Sequence, residues 1–146
     1  MANYNCAIRT NYFHVKDNEV FEEFMTHVYA EDLEMFFKVD SNGNKLYGFG
    51  SYGGISGYFN NEDDYENDDE AWDNAYDNFI DGLMKLVAED DAVLMFEVGA
   101  EKLRYVVGSV TVITSRGYLY KNIESVGIEI ATQMLDNYDY TTQCSY

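Results

Sequence analysis

Two hairpin signatures decide most of what this chain can fold into. Asp40-Ser-Asn42-Gly43-Asn44 separates two strand-like runs, residues 33–39 and 45–51. Asn-Gly between such runs is the strongest short-range hairpin signal. Residues 92–98 and 103–114 are rich in β-branched and aromatic side chains and are joined by Gly99-Ala-Glu-Lys102, which reads as a second antiparallel hairpin. Arg116-Gly117 makes a further turn into a short strand over 118–122, and residues 4–15, with short apolar–polar alternations, read as one more strand.

Three segments carry helical spacing instead. Asp17 is a good N-cap, and Val20, Phe21, Phe24, Met25 and Val28 follow it at 3–4-residue intervals, which predicts a helix over about 18–29. The strongest pattern lies at about 70–88, where Trp72, Tyr76, Phe79, Ile80, Leu83 and Val87 fall within one apolar arc. Of these, Trp72, Phe79, Leu83 and Val87 are expected to be buried. A last helix over 124–135 turns Val126, Ile128, Ile130, Ala131 and Met134 toward the core. Between them, Gly53-Gly54-Ile-Ser-Gly57 and the acids from Glu62 onward read as a flexible, acidic, Gly-rich loop over about 53–69. Residues 137–146 read as a frayed polar tail. The expectation is an α+β fold, one domain over 1–146, with an antiparallel sheet and about three helices packed on it. At 146 residues such a domain buries about two thirds of its unfolded surface and needs neither disulfides nor a metal. A hydrophobic fraction of 47% and an aromatic fraction of 16% exclude a disordered acidic chain.

The charge is extreme and concentrated. The 27 acids outnumber the nine Lys and Arg, for a net charge of -18. Phosphate backbones and anionic lipid both require positive charge on their binder, so neither nucleic acid nor membrane is an expected partner. Residues 46–84 hold no Lys, Arg or His but ten acids: Glu62, Asp63, Asp64, Glu66, Asp68, Asp69, Glu70, Asp73, Asp77 and Asp81. On a helix with Trp72 at 0°, Asp73, Asp77 and Asp81 lie at about 100°, 140° and 180°. If the helix begins early, Glu66 and Glu70 join them at about 120° and 160°. The acids then form a stripe with neighbours roughly 4.5–6 Å apart along the axis, a linear charge density within about a factor of two of one DNA strand. Ordinary surface helices interleave bases to avoid the repulsion; here Lys85 alone follows, at the far end. Tyr58, Tyr65 and Tyr76 flank the acids, and tyrosine supplies large contact area with a polar tip.

This charge pattern, over residues 62–81, resembles that of DNA-mimic inhibitors, the anti-restriction and anti-CRISPR proteins of phages and conjugative elements. Residues 3–13 and 101–108 are also similar to segments of small proteins from Gram-positive mobile elements. The resemblance implies stoichiometric inhibition of a basic nucleic-acid-binding protein, a bacterial defence nuclease, by an acidic surface and without catalysis. The alternative partner is another basic protein, such as a nuclease toxin for which this chain would be the immunity protein. No cofactor, metal or catalytic residue is expected.

Other patterns point to less. Gly48-Phe-Gly50-Ser-Tyr-Gly53 matches G-x-G-x-x-G in form, but that fingerprint needs a helix N-terminus after it, and ten carboxylates follow. Asp40 begins a calcium-like loop that has Lys45 where glycine is needed and Ser51 where glutamate is needed. His27 has Glu23 and Glu31 four residues to either side, without a second His or Cys in register. Cys6 as a nucleophile would need a base such as His14 brought to it by the fold. The start of the chain lacks the basic and apolar regions of a signal peptide, the longest apolar runs are too short to span a bilayer, and Cys6 and Cys144 make no disulfide framework. The expected setting is the cytoplasm, with a Cys6–Cys144 bond left open.

Overall fold

The computed structural model describes residues 5–102 and 105–140. Elements follow in the order β1 (Asn5–Thr10), α1 (Asn18–Thr26), β2 (Val28–Ala30), β3 (Glu34–Val39), β4 (Lys45–Ser51), β5 (Ile55–Tyr58), α2 (Glu62–Asn67), α3 (Asp69–Leu86), β6 (Val93–Glu101), β7 (Tyr105–Thr114), β8 (Gly117–Asn122) and α4 (Ile123–Leu135). Six strands form one sheet in the order β3-β4-β1-β6-β7-β8, and β2 and β5 form a separate ribbon. Every pairing is antiparallel. The fold is α+β, as the hairpin signals require. Both expected hairpins form, and β1 enters between them to join β4 to β6.

Strand periodicity divides the sheet into two faces. One row in register crosses all six strands: Glu34, Gly50, Arg9, Phe96, Val110 and Lys121. The opposite face carries Ile8, Phe49, Met95 and Ile113, all buried, and receives α1 and α3. Aromatic rings lock this layer edge to face. Phe13 meets Phe21 at 5.6 Å and Phe49 at 6.2 Å, and Phe49 meets Phe79 of α3 at 6.0 Å. Such pairs contribute about 0.5–1.5 kcal/mol each beyond their area burial.

Several sequence expectations are corrected here. The segment 53–69 is not a loop, since β5 and α2 both lie within it. β5 holds its place by pairing with β2, a long-range contact that glycine content hides. β2 in turn ends α1 at Thr26 rather than 29: Val28 fits both helical and strand periods, and it is buried in the ribbon. The first strand stops at Thr10, with Phe13 and Val15 making isolated bridges to Tyr47 and Val87. Residues 99–101 belong to β6 rather than to a turn, and Leu103 lies outside the described residues.

Trp72 is 42% exposed, whereas Phe79, Leu83 and Val87 are buried as expected. The indole sits at the first turn of α3 and packs on Phe59 and on Tyr65 of α2, at 5.0 and 5.1 Å. Its N–H donates to the Tyr65 carbonyl at 2.7 Å. It clamps one helix to the next rather than filling the core.

The largest correction concerns α4. No α4 residue is buried. Ile128 and Ala131 are half-buried, while Val126, Ile130 and Met134 point away from the protein body, Met134 at 80% exposure. The helix follows β8 without a connecting loop, because Asn122 ends the strand and caps the helix, its side chain accepting from the Ser125 N–H at 2.8 Å. It therefore cannot swing round to the α3 side. Of the predicted frayed tail, residues 137–140 form hydrogen-bonded turns, and residues 141–146 lie outside the described residues. Among the described residues no helix is long and apolar enough to cross a membrane.

Candidate partner-binding surface

The acidic segment is two helices meeting at an angle, not one. Asp68 has extended backbone, which ends α2 and caps α3: its carboxylate accepts from the Glu70 and Ala71 N–H groups at 3.0 and 3.2 Å. Asn61 does the same for α2, accepting from the Asp64 N–H at 2.8 Å. The break removes Glu66 from the α3 stripe, so the early-start alternative does not hold.

This geometry sorts the ten acids by physical role. Glu62, Asp63 and Asp64 occupy the first turn of α2, and Asp68, Asp69 and Glu70 the cap and first turn of α3. Carboxylates at helix N-termini are favoured by the macrodipole by about 0.3–1 kcal/mol each, so these six have a local structural reason to be acidic. Glu66, Asp73, Asp77 and Asp81 have none. The three α3 aspartates are exposed and lie on the flank opposite Ala75, Phe79 and Leu83, which are buried. Neighbours along this flank repel by a few tenths of a kcal/mol per pair. Among the described residues none of the ten acids forms an ion pair.

The tyrosines divide as well. Tyr58 is half-buried and stacks on Phe24 at 5.1 Å, and Tyr65 stacks on Tyr29 at 4.4 Å; both serve the packing of the ribbon and helices. Tyr76 is 44% exposed, and its hydroxyl pKa is raised by desolvation and by the charge of Glu97. A groove of about 220 Å³ runs beside the acids, lined by Asp64, Asp68 and Glu70 with Asn60, Asn74 and Asn78. No group of three or more His, Cys, Asp or Glu is placed to hold a metal ion among the described residues.

The segments set aside on sequence acquire structural roles. The glycines of the apparent nucleotide fingerprint lie on β4 and the turn after it, and β5 follows where a phosphate site needs a helix. Gly50 is required by close approach, since a Cβ there would stand 2.8 Å from the Ile8 carbonyl oxygen. Cys6 is half-buried on β1, its thiol pKa raised by burial and by the charges of Glu97 and Glu31, the opposite of an activated thiolate. Cys144, and with it the Cys6–Cys144 bond, lies outside the described residues. His27 bonds the Phe59 carbonyl through Nδ1 at 3.0 Å and Glu23 through Nε2 at 3.3 Å.

His14, which the sequence offered only as a possible base for Cys6, instead joins two carboxylates in a cluster that sequence reading missed. Its Nδ1 lies 3.0 Å from Asp91 and its Nε2 3.3 Å from Asp40. A neutral imidazole has one N–H and cannot donate to both carboxylates; the imidazolium can. Hydrogen bonds first to Asp40 and then to Asp91 accordingly raise its pKa above the ordinary 6.5. The Asp40 pKa is lowered, first by the Asn44 N–H. For Asp91, burial pushes upward, but the His14 and Ala92 N–H groups and the His14 ring outweigh it and the pKa falls. The sign follows from linkage. The His14 contribution is complete below pH 6.5 and is lost as pH rises through the folded pKa; the Asp40 and Asp91 contributions are lost as pH falls below the usual carboxylate range. The melting-temperature advantage of wild type over His14→Gln should therefore be largest near pH 5.5 and shrink by pH 8.5. A pH-independent difference would contradict this assignment.

No protein-family model matches this chain, and no curated protein or solved structure is similar to it at a significant level.

Proposed function

We propose that this protein is a stoichiometric inhibitor that offers the α2–α3 acidic surface to the basic nucleic-acid groove of a DNA-cleaving defence enzyme. The observation that carries the reading is the trio Asp73, Asp77 and Asp81. They are exposed, lack ion-pair partners among the described residues, and stand in line on a rigid helix beyond the reach of the N-terminal dipole. A groove lined by Lys and Arg meets such a row as it meets a phosphate strand, and the field of a -18 chain accelerates the encounter. The six acids at the helix N-termini extend the surface, and Tyr76 supplies an aromatic edge. The protein performs no chemistry in this role and binds no nucleic acid itself.

The test is titration into cleavage reactions of purified restriction and RNA-guided nucleases on duplex DNA. Inhibition should saturate near one inhibitor per binding groove, fall when DNA is in excess, and weaken with added salt, because screening over a Debye length of about 8 Å at 0.15 M removes the steering attraction. Lack of inhibition across the panel, or inhibition indifferent to salt and to competing DNA, would defeat the reading.

A further inference from the structure

The uncovered face of the sheet carries a second surface of opposite character. Ile123, Val126, Ile130 and Met134 are spaced 3, 4 and 4 residues apart, which lines them up along one stripe of the helix. All four are exposed. Gly127 lies in the same stripe, and a Cβ there would touch nothing within 4 Å, which leaves room for another helix to approach closely. The stripe runs into the sheet. Ile123 rests on Gly108, at 3.0 Å from where its Cβ would be; Gly108 pairs with Val98, and Phe96 stands two residues away on the same face. Phe96 and Val98 are 47% and 59% exposed.

We propose that this α4–β6 surface is the interface of a homodimer, with α4 packed against α4 of a second copy about a two-fold axis. Two arguments select a second copy. The first is electrostatic. Two chains of charge -18 meet at least cost where charge is locally balanced, and here Glu34 of the sheet face with Glu124 and Glu129 of α4 are matched by three bases. Arg9, Lys38 and Lys121 lie on it, and Lys121 donates to Glu129 of α4 at 3.4 Å. The acidic trio of α3 sits on the far side of the sheet, so pairing here keeps the two stripes apart. The second is size. A fully exposed side chain of this kind offers about 60–120 Å², so the half-exposed patch, with Leu119 of β8 at its rim, amounts to roughly 400 Å². A standard interface of about 800 Å² per partner, about 65% apolar in homodimers, needs roughly 500 Å². The patch thus fits a dimer at the low end of the size range, and an isologous contact places it on both copies at once.

Sedimentation of the full chain across the micromolar range should show a monomer–dimer equilibrium. The dimer should strengthen with salt, which screens the repulsion between copies, whereas capture of a basic partner weakens with salt. Ile130→Glu with Met134→Glu should give a monomer of unchanged circular dichroism and melting temperature, while Asp77→Lys should still dimerise. As a second readout, raising the concentration of wild type should slow amide hydrogen exchange in α4 and β6 and leave α3 unchanged. A wild-type monomer throughout the range would overturn the proposal, whether residues 141–146 or another protein covers the face instead. So would a Glu variant that remains folded and dimeric. Neither result bears on inhibition by the α3 surface.

Discussion

Gly57→Ala should destabilise this protein by about 3 kcal/mol or more, lowering the melting temperature by roughly 10 °C. Gly57 has φ +137, a conformation that L side chains rarely adopt, and a Cβ there would stand 2.3 Å from the Ala75 carbonyl carbon and 2.6 Å from the Tyr76 nitrogen. The obstacle is helix backbone, which cannot rotate aside as a side chain would. β5 therefore lies directly on α3, with Ala75 fully buried beneath it. A backbone strain of about 1–3 kcal/mol adds to an overpacking cost of similar size, a large share of the 5–15 kcal/mol that holds a typical domain together. Gly54→Ala is the control, because nothing lies within 4 Å of its Cβ position and it should change stability by no more than about 0.5 kcal/mol. Thermal melts followed by circular dichroism decide the matter. If Gly57→Ala melts within a few degrees of wild type, the β5–α3 contact does not mount the acidic helix as described.

That contact also marks where sequence reading reaches its limit. The two hairpins were legible because turn chemistry and alternation are local, although β6 runs on through the turn expected at 99–101. The helix near 70–88 was legible because its apolar arc repeats over five turns. β2 and β5 were not: each is four residues or fewer, and each exists because the other is there. Gly57 looks like loop flexibility in sequence and is a close-approach site in space. The fate of α4 was hidden for a different reason. Periodicity finds its apolar stripe but cannot say which side of the sheet the helix reaches, and the missing loop after Asn122 puts it opposite the core. The acidic stripe itself was visible residue by residue for Asp73, Asp77 and Asp81. The break at Asp68, which separates Glu66 from them, depends on a cap that competes with helix continuation.

Asp73→Lys with Asp77→Lys should weaken partner binding by about 100-fold or more without harm to the fold. Charged groups truncated at a buried interfacial pair cost about 2–5 kcal/mol, and reversal adds repulsion, so two reversals exceed the roughly 2.7 kcal/mol that corresponds to 100-fold. Neither carboxylate caps a helix, forms an ion pair among the described residues or touches the core. A lysine at position 73 would stand four residues after Asp69, and one at position 77 four residues before Asp81, so two repulsive pairs become attractive at a few tenths of a kcal/mol each while the 73–77 pair stays like-charged. The melting temperature should hold or rise slightly. Charge reversal at Asp139, exposed and distant in sequence from α3, is the control for a simple change in net charge and should leave inhibition nearly intact. A reversal at Asp68 would be a poor test, since it removes the α3 cap as well as a charge. If the double variant keeps its melting temperature and inhibits at full affinity, the α3 aspartates are only a solvated face. If it loses inhibition while the Asp139 variant keeps it, the position of the charge on α3, rather than its total, is what the partner reads.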